Sequence, residues 1–241
     1  MLERIKEKEE WLEKIEKKEK RLADCKKLFE NDELFPEKNN KVWISGIVEE
    51  DFYYGFKINE KKYYRTRVKV ERFSGEIDYI PIVIEKRFKD ISWKEKAEGK
   101  KIKVAGQLCS RNTKREDGKI HLDLYVFVTS AQLVGEDEEF VPEDFVYINA
   151  YICKEPRFRT TPFNKKITDL MLAVNREGCK TDYIPTIAWS AEAYRTADAS
   201  VGTNIEIYGR LQSRKYNKQG VVKTTYELSI GNIDRMVFNK K

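Results

Sequence analysis

The sequence predicts an all-β protein: two tandem copies of one small five-stranded barrel, preceded by a charged amphipathic helix. Three internal matches carry that reading. Val42-Trp-Ile-Ser-Gly-Ile-Val48 aligns with Val146-Tyr-Ile-Asn-Ala-Tyr-Ile152 at an offset of 104. Asp78-Tyr-Ile-Pro81 recurs as Asp182-Tyr-Ile-Pro185 at the same offset, and Gly106-Gln-Leu-Cys-Ser-Arg111 aligns with Gly209-Arg-Leu-Gln-Ser-Arg214 at 103. A period of that length is a domain rather than a solenoid turn. The two copies span 40–134 and 146–238.

The elements follow in order. Residues 1–30 place Leu2, Ile5, Leu12, Ile15, Leu22 and Phe29 at helical spacing among Lys and Glu, with Trp11 and Cys25 widening the stripe. Such a helix can pack on its own chain or pair with a second copy as a short coiled coil, although Glu9, Glu19 and Lys26 interrupt the heptad. Pro36 breaks it, and 31–39 read as a linker. Each copy then opens with an alternating strand, Val42, Ile44, Gly46 and Val48 in the first. A hairpin follows, Tyr64–Val70 with Asp78–Ile84, and Lys166–Asn175 with Asp182–Trp189, turning at Ser74-Gly75 and Gly178. A short helix over Phe88–Glu98 or Ala191–Ala199 ends near Gly99 or Gly202. Two strands close the unit, Lys101–Cys109 with Ile120–Thr129, and Thr203–Arg214 with Val222–Ile230. Five strands with a helix between the third and fourth is the order of the OB fold, a Greek-key barrel. Gly106 and Gly209, inside strand patterns, fit the bends of a closed barrel.

Charge is distributed in blocks. Residues 40–134 carry 20 basic and 14 acidic side chains, and 146–241 carry 16 and 9. Between them, 135–145 has six acids and no base, which reads as an acidic linker. Two basic blocks with an acidic joint suit a protein that binds a polyanion. One histidine, His121, and four unpaired-spacing cysteines, Cys25, Cys109, Cys153 and Cys179, do not supply a zinc ligand set or a disulfide framework. No phosphate loop, nucleophile elbow or ordered carboxylate pair is present. The expectation is a non-enzyme without cofactor or metal. Without a secretory signal or an apolar run of about 20 residues, it is expected in the reducing cytoplasm and not in a membrane.

Within the second copy an ordered set of residues resembles the bacterial single-stranded DNA-binding protein family. Pro156, Arg159 and Thr160 come first, then Leu172-Ala-Val-Asn-Arg176, then Asp182, Ile184 and Trp189, Ala191-Glu192, and Gly209-Arg-Leu-Gln-Ser-Arg214 with Tyr216. The resemblance implies base stacking on Tyr183, Trp189 and Tyr216, beside Arg157, Arg159, Arg176, Arg210, Arg214 and Lys215. For the residues themselves the alternatives stay open. Tyr183 alternates with Ile184, so one of the two faces the core. Trp189 follows Ile187 and could fill the barrel. Arg210 and Arg214 share a strand face that could be plain solvated surface. Tyr216, in a loop before Asn217-Lys-Gln-Gly220, is the candidate least suited to burial.

The first copy keeps Tyr79 and Arg111, but has Glu85 where the second has Trp189, about Thr113 for Tyr216, and Val68-Lys-Val-Glu-Arg72 for the Leu-Ala-Val-Asn-Arg motif. Its own aromatic run, Phe52-Tyr-Tyr-Gly-Phe56 with Tyr63, Tyr64 and Phe73, is either a replacement binding surface or an apolar docking patch. The family's acidic recruiting tip is not matched by Met236-Val-Phe-Asn-Lys-Lys241, so protein partners are expected at the N-terminal helix or the first copy. The function expected is sequence-independent coating of single-stranded DNA in replication, recombination or repair. Single-barrel members of the resembled family assemble as tetramers, so the resemblance implies that two tandem chains pair as a dimer to reach four barrels. The alternative is an OB-fold assembly module, or an RNA binder.

Overall fold

Backbone pairing turns the duplication into geometry. The computed structural model describes residues 2–72, 74–88, 91, 96–115, 118–176, 180–218 and 220–238, with backbone alone for 2–11, 218, 221 and 223. Helix α1 (Leu2–Phe29) is followed by β1 (Asn40–Val48), β2 (Tyr53–Ile58), β3 (Lys61–Glu71), β4 (Ile77–Glu85), β5 (Lys101–Lys114) and β6 (Ile120–Val134). The second half runs β7 (Glu143–Ile152), β8 (Arg157–Thr160), β9 (Lys166–Arg176), β10 (Lys180–Trp189), α2 (Ser190–Ala197), β11 (Asn204–Lys218) and β12 (Val221–Val237).

Five-strand barrels result, with the first strand of each in two pieces. Both β1 and β2 lie antiparallel on β3, Ile47 opposite Lys69 and Tyr53 opposite Arg65. The same holds for β7 and β8 on β9. The break at 49–52 is pinned: Thr66 Oγ1 donates to Glu50 O at 2.5 Å, and Asp51 accepts the Ala97 and Glu98 N–H groups at 2.8 and 3.0 Å. Each ring closes through one parallel contact, β4 with β6 and β10 with β12. Alternating strands bury Val42, Ile44, Ile80, Ile82, Ile102 and Val126 in one barrel, and Val146, Ile148, Leu172, Ile184, Ile205 and Leu228 in the other. Gly106 and Gly209 sit at bulges, where a Cβ would collide with Phe127 O or Ser229 O, so the close approach requires glycine. In the second barrel α2 buries Ala193 and takes a 2.7 Å bond from Thr168 Oγ1. Much of the expected first-barrel helix (89, 90 and 92–95), together with Phe73, Gly178 and Cys179, lies outside the described residues; of the rest of that span, Ile91 and Ala97 are buried and no described residue is helical.

The barrels are not separated by a free linker. Strand β1 pairs antiparallel with β7, and Val42 stands opposite Val146, its own counterpart in the repeat. The junction is therefore self-complementary, as a homodimer's two-fold contact is, and it makes one continuous twelve-stranded sheet. Glu143 and Asp144, expected in the acidic linker, belong to β7, opposite Ser45 and Ile44. The outer face of this junction is apolar, and the C-terminal turns of α1 cover it. Cys25 and Phe29 pack with Phe35, Ala105 and Phe145, against Trp43, Tyr147 and Tyr208. Phe35 meets Phe29 edge-on at 4.8 Å, so the 31–39 stretch folds back rather than hanging free. Lys41 Nζ donates to Phe29 O at 2.5 Å, satisfying a helix-end carbonyl, and Lys26 pairs with Asp234 at 2.7 Å.

Candidate nucleic-acid interface

Each aromatic candidate is positioned by strand alternation. On β10, Ile184 is buried and Tyr183 is 46% exposed, so the tyrosine faces outward. Trp189, six residues on and on the same face, is half-buried where β10 passes into α2. At about 3.3 Å per residue the two rings are roughly 20 Å apart along the strand. Tyr216 does not lie in a loop: β11 continues to Lys218 and pairs with β12, with Tyr216 opposite Lys223. It is 38% exposed, on a hairpin arm that carries Arg210, Arg214 and Tyr216 along one face. Arg214 is exposed, while Lys215 on the opposite face has its ammonium 5.5 Å from the Tyr79 ring centroid. That contact brings residues of both barrels together.

Several of the arginines already have carboxylate partners. Arg159 makes a bidentate bond to Asp169 at 2.6 and 3.0 Å. Arg176 lies 3.3 Å from Asp182 and turns Nη1 toward Cys109 Sγ at 3.6 Å. Arg210 is 3.4 Å from Asp78, and burial, then the nearby Arg72, pushes its pKa below the usual guanidinium value. These three are engaged within the protein, which argues against a simple phosphate contact for each. Arg157 and Arg111 are exposed.

Two residues that strand pattern and composition did not single out organise the surroundings. Asp78 and Asp182 occupy equivalent repeat positions, and each is buried and reaches across to the other barrel. Asp78 accepts Ser213 N–H at 2.6 Å and Ser213 Oγ at 2.9 Å; Arg72 grips it at 2.6 and 2.7 Å. Asp182 accepts Ser110 N–H at 2.7 Å and Ser110 Oγ at 3.3 Å. Burial alone would raise the Asp78 carboxyl, but the Arg72 and Ser213 bonds outweigh it and hold the pKa below the ordinary carboxylate range. A signal did exist: the acid and the serine recur inside the matched Asp-Tyr-Ile-Pro and Gly-x-Leu-x-Ser-Arg pieces. The Tyr183 N–H donates to the same Ser110 Oγ at 2.9 Å, so one latch sets the backbone of an exposed aromatic.

Asp144 breaks the symmetry of the pair. Its repeat counterpart, Asn40, donates to Leu108 O and accepts from Leu108 N, both at 2.9 Å. Asp144 accepts Leu211 N–H at 3.2 Å, and its Oδ2 has no hydrogen-bond partner. Burial pushes its pKa up to about 7.

Comparison with known proteins fits this architecture. Residues 145–236 match the single-strand binding protein family. The wild-type single-stranded DNA binding protein from Thermus aquaticus superposes with a TM-score of 0.66 at 17% identity, over 84% of this chain and 93% of that one. A deletion mutant of the same protein gives 0.65, also at 17% identity, over 84% and 95%. The N-terminal domain of PriB protein from Thermoanaerobacter tencongensis is 30% identical over 41% of this chain and all of its own, with a TM-score of 0.35. No curated protein matches. Residues 145–236 thus match the single-strand binding protein family, and the chain folds as two OB barrels in tandem.

Proposed function

We propose that this protein binds single-stranded DNA largely independently of sequence, and coats it during replication, recombination or repair. The observation that carries the reading is the outward set Tyr183, Arg214 and Tyr216 on the barrel that matches the family. Flat rings serve any base and free cations serve the phosphates. Trp189 and Tyr79 extend the stacking surface; Arg157, Arg111 and Lys215 hold backbone. The partnered Arg159, Arg176 and Arg210 act by shaping the site. The working units are two domains, 40–134 and 143–238, joined through 135–142, a shorter joint than the 135–145 expected because 143–145 belong to β7. Two chains pair as a dimer, and protein partners dock at α1 or the first barrel. The reading is of a binder and not an enzyme, working in the cytoplasm; among the described residues no helix is long and apolar enough to cross a membrane.

The test is a titration with labelled oligothymidylate at low and moderate salt, with duplex DNA and oligouridylate as competitors. Tight, salt-sensitive binding that duplex DNA does not displace is expected, and displacement by oligouridylate would extend the reading to single-stranded RNA. Tyr183→Ala, Trp189→Ala and Tyr216→Ala should each weaken it by about 1–3 kcal/mol with melting curves retained. Equal competition by duplex would reassign the barrels to assembly or general polyanion contact.

A further inference from the structure

Helix α1 has two apolar faces, and the chain itself uses one. Its last turns dock on the barrel junction through Cys25 and Phe29, with Arg21 4.9 Å from the Phe145 ring centroid and Lys26 on Asp234. Further back the helix stands clear of the barrels. Every residue from 12 to 20 is exposed except the half-buried Ile15, and Leu12 is 42% exposed. At about 100° per residue, Leu12, Ile15, Glu19 and Leu22 form a stripe roughly a quarter turn away from the docked face.

In the sequence that stripe runs on to Ile5 and Lys8, which makes 5, 8, 12, 15, 19 and 22 the two inward positions of successive heptads. Taken alone, the seam is spoiled by Lys8 and Glu19. A two-fold axis repairs it. When two copies run antiparallel and cross between Glu13 and Lys14, Ile5 faces the partner's Leu22 and Leu12 faces the partner's Ile15. Lys8 then faces the partner's Glu19, so each apolar position meets an apolar one and each charge meets its opposite. Parallel pairing sets every residue against its own copy, Lys8 on lysine and Glu19 on glutamate, and like-charge repulsion disfavours it. The flanks point the same way. Residues 2–13 carry five acids and three bases, and 14–27 carry seven bases and three acids, so antiparallel pairing lays an acidic half on a basic one. Glu9 beside the partner's Glu16 opposes this, at a solvated edge where salt screens the repulsion.

We infer that α1 is a dimerisation arm: residues 5–22 of two chains pair antiparallel while each helix keeps its last turns docked on its own barrels. The occupant is a second copy because the stripe complements itself under a two-fold axis. An isolated helix of this length is marginal in water, so docking at Phe29 keeps the arm helical for its partner. At about 1.5 Å per residue the two docked ends lie roughly 40 Å apart, and the barrels of one chain need not touch those of the other. This rests on the reading that two chains pair as a dimer, and it puts the contact on α1.

Sedimentation of the full chain over a concentration series tests it, with Leu12→Glu, Lys8→Glu, Glu19→Lys and the double reversal Lys8→Glu/Glu19→Lys. Wild type should sediment at twice the 28.5 kDa chain mass. Leu12→Glu and each single reversal should weaken the dimer by about tenfold or more, and the double reversal should restore it. Leu12 and Glu19 are exposed, so their variants keep the barrels folded, which melting curves check. Single reversals that weaken the dimer without rescue by the double one overturn the antiparallel arm. A dimer indifferent to all four variants also overturns it, and leaves the dimer reading standing on another surface. Wild type that stays at 28.5 kDa at every concentration overturns both.

Discussion

Asp144 is a carboxylate in a position built for an amide. In the first barrel Asn40 satisfies both the N–H and the C=O of Leu108; protonated Asp144 can imitate it toward Leu211, and ionised Asp144 cannot. Its folded pKa, about 7, exceeds the ~3.9 of an unfolded aspartate. The native state therefore holds the extra proton between those values. The stabilisation is complete below about pH 4 and is lost as pH rises through 7. Asp144→Asn should be more stable than wild type at pH 8 by about 1–3 kcal/mol, the cost of an unsatisfied buried acceptor. The gain should shrink toward pH 5. Urea unfolding at the two pH values checks this, and a gain of equal size at both would sink it. Alternation placed Tyr183 and Ile184 correctly as a pair with one member inside; which arginines were already spoken for was not readable. Arg159 and Asp169 are ten residues apart and meet only because β8 lies on β9.

At the scale of elements, the latches and α1 do different jobs. Asp78 holds Arg72, Arg210 and Ser213, whereas Asp182 has Arg176 and Ser110. Removing a buried partner strands the remaining charge, at a cost of about 3–5 kcal/mol. Asp78→Ala should thus lower the unfolding midpoint more than Asp182→Ala in parallel denaturant curves; the reverse order would refute the assigned asymmetry. Helix α1 is held by its last turns through Phe29, which touches Phe35, Tyr147 and Tyr208. In Phe29→Ala, hydrogen exchange should show α1 amides losing protection while β1, β5, β7 and β11 keep theirs, since the helix docks onto a sheet closed without it. Cooperative loss across both would instead make α1 part of the barrel core. The helix and the strands were legible because each has its own period. The split first strand was not, since Asp51 is held by amides more than forty residues away.

For the molecule as a whole, the electrostatic footprint is testable by salt. Phosphate contacts to single strands release counterions, at about 0.7 in log–log slope per contact. Arg214→Ala and Lys215→Ala should each flatten the slope by roughly that amount, whereas Arg159→Ala, whose charge is already met by Asp169, should leave it near the wild-type value. A slope equally reduced by all three would mean that Arg159 leaves its partner on binding.

The strand order, the copy number and the all-β class follow from the chain read as a string, because hydrophobic alternation and repetition are properties of neighbours in sequence. Tyr216 shows where that reading stops: an Asn-Lys-Gln-Gly turn marks a loop, but the partner strand β12 carries β11 through to Lys218. How Val42 meets Val146, how Asp78 reaches Ser213 and how Asp182 reaches Ser110 depend on contacts between residues 72 to 135 positions apart. Such contacts are selected by the packing of two closed barrels against each other, and no local pattern encodes them.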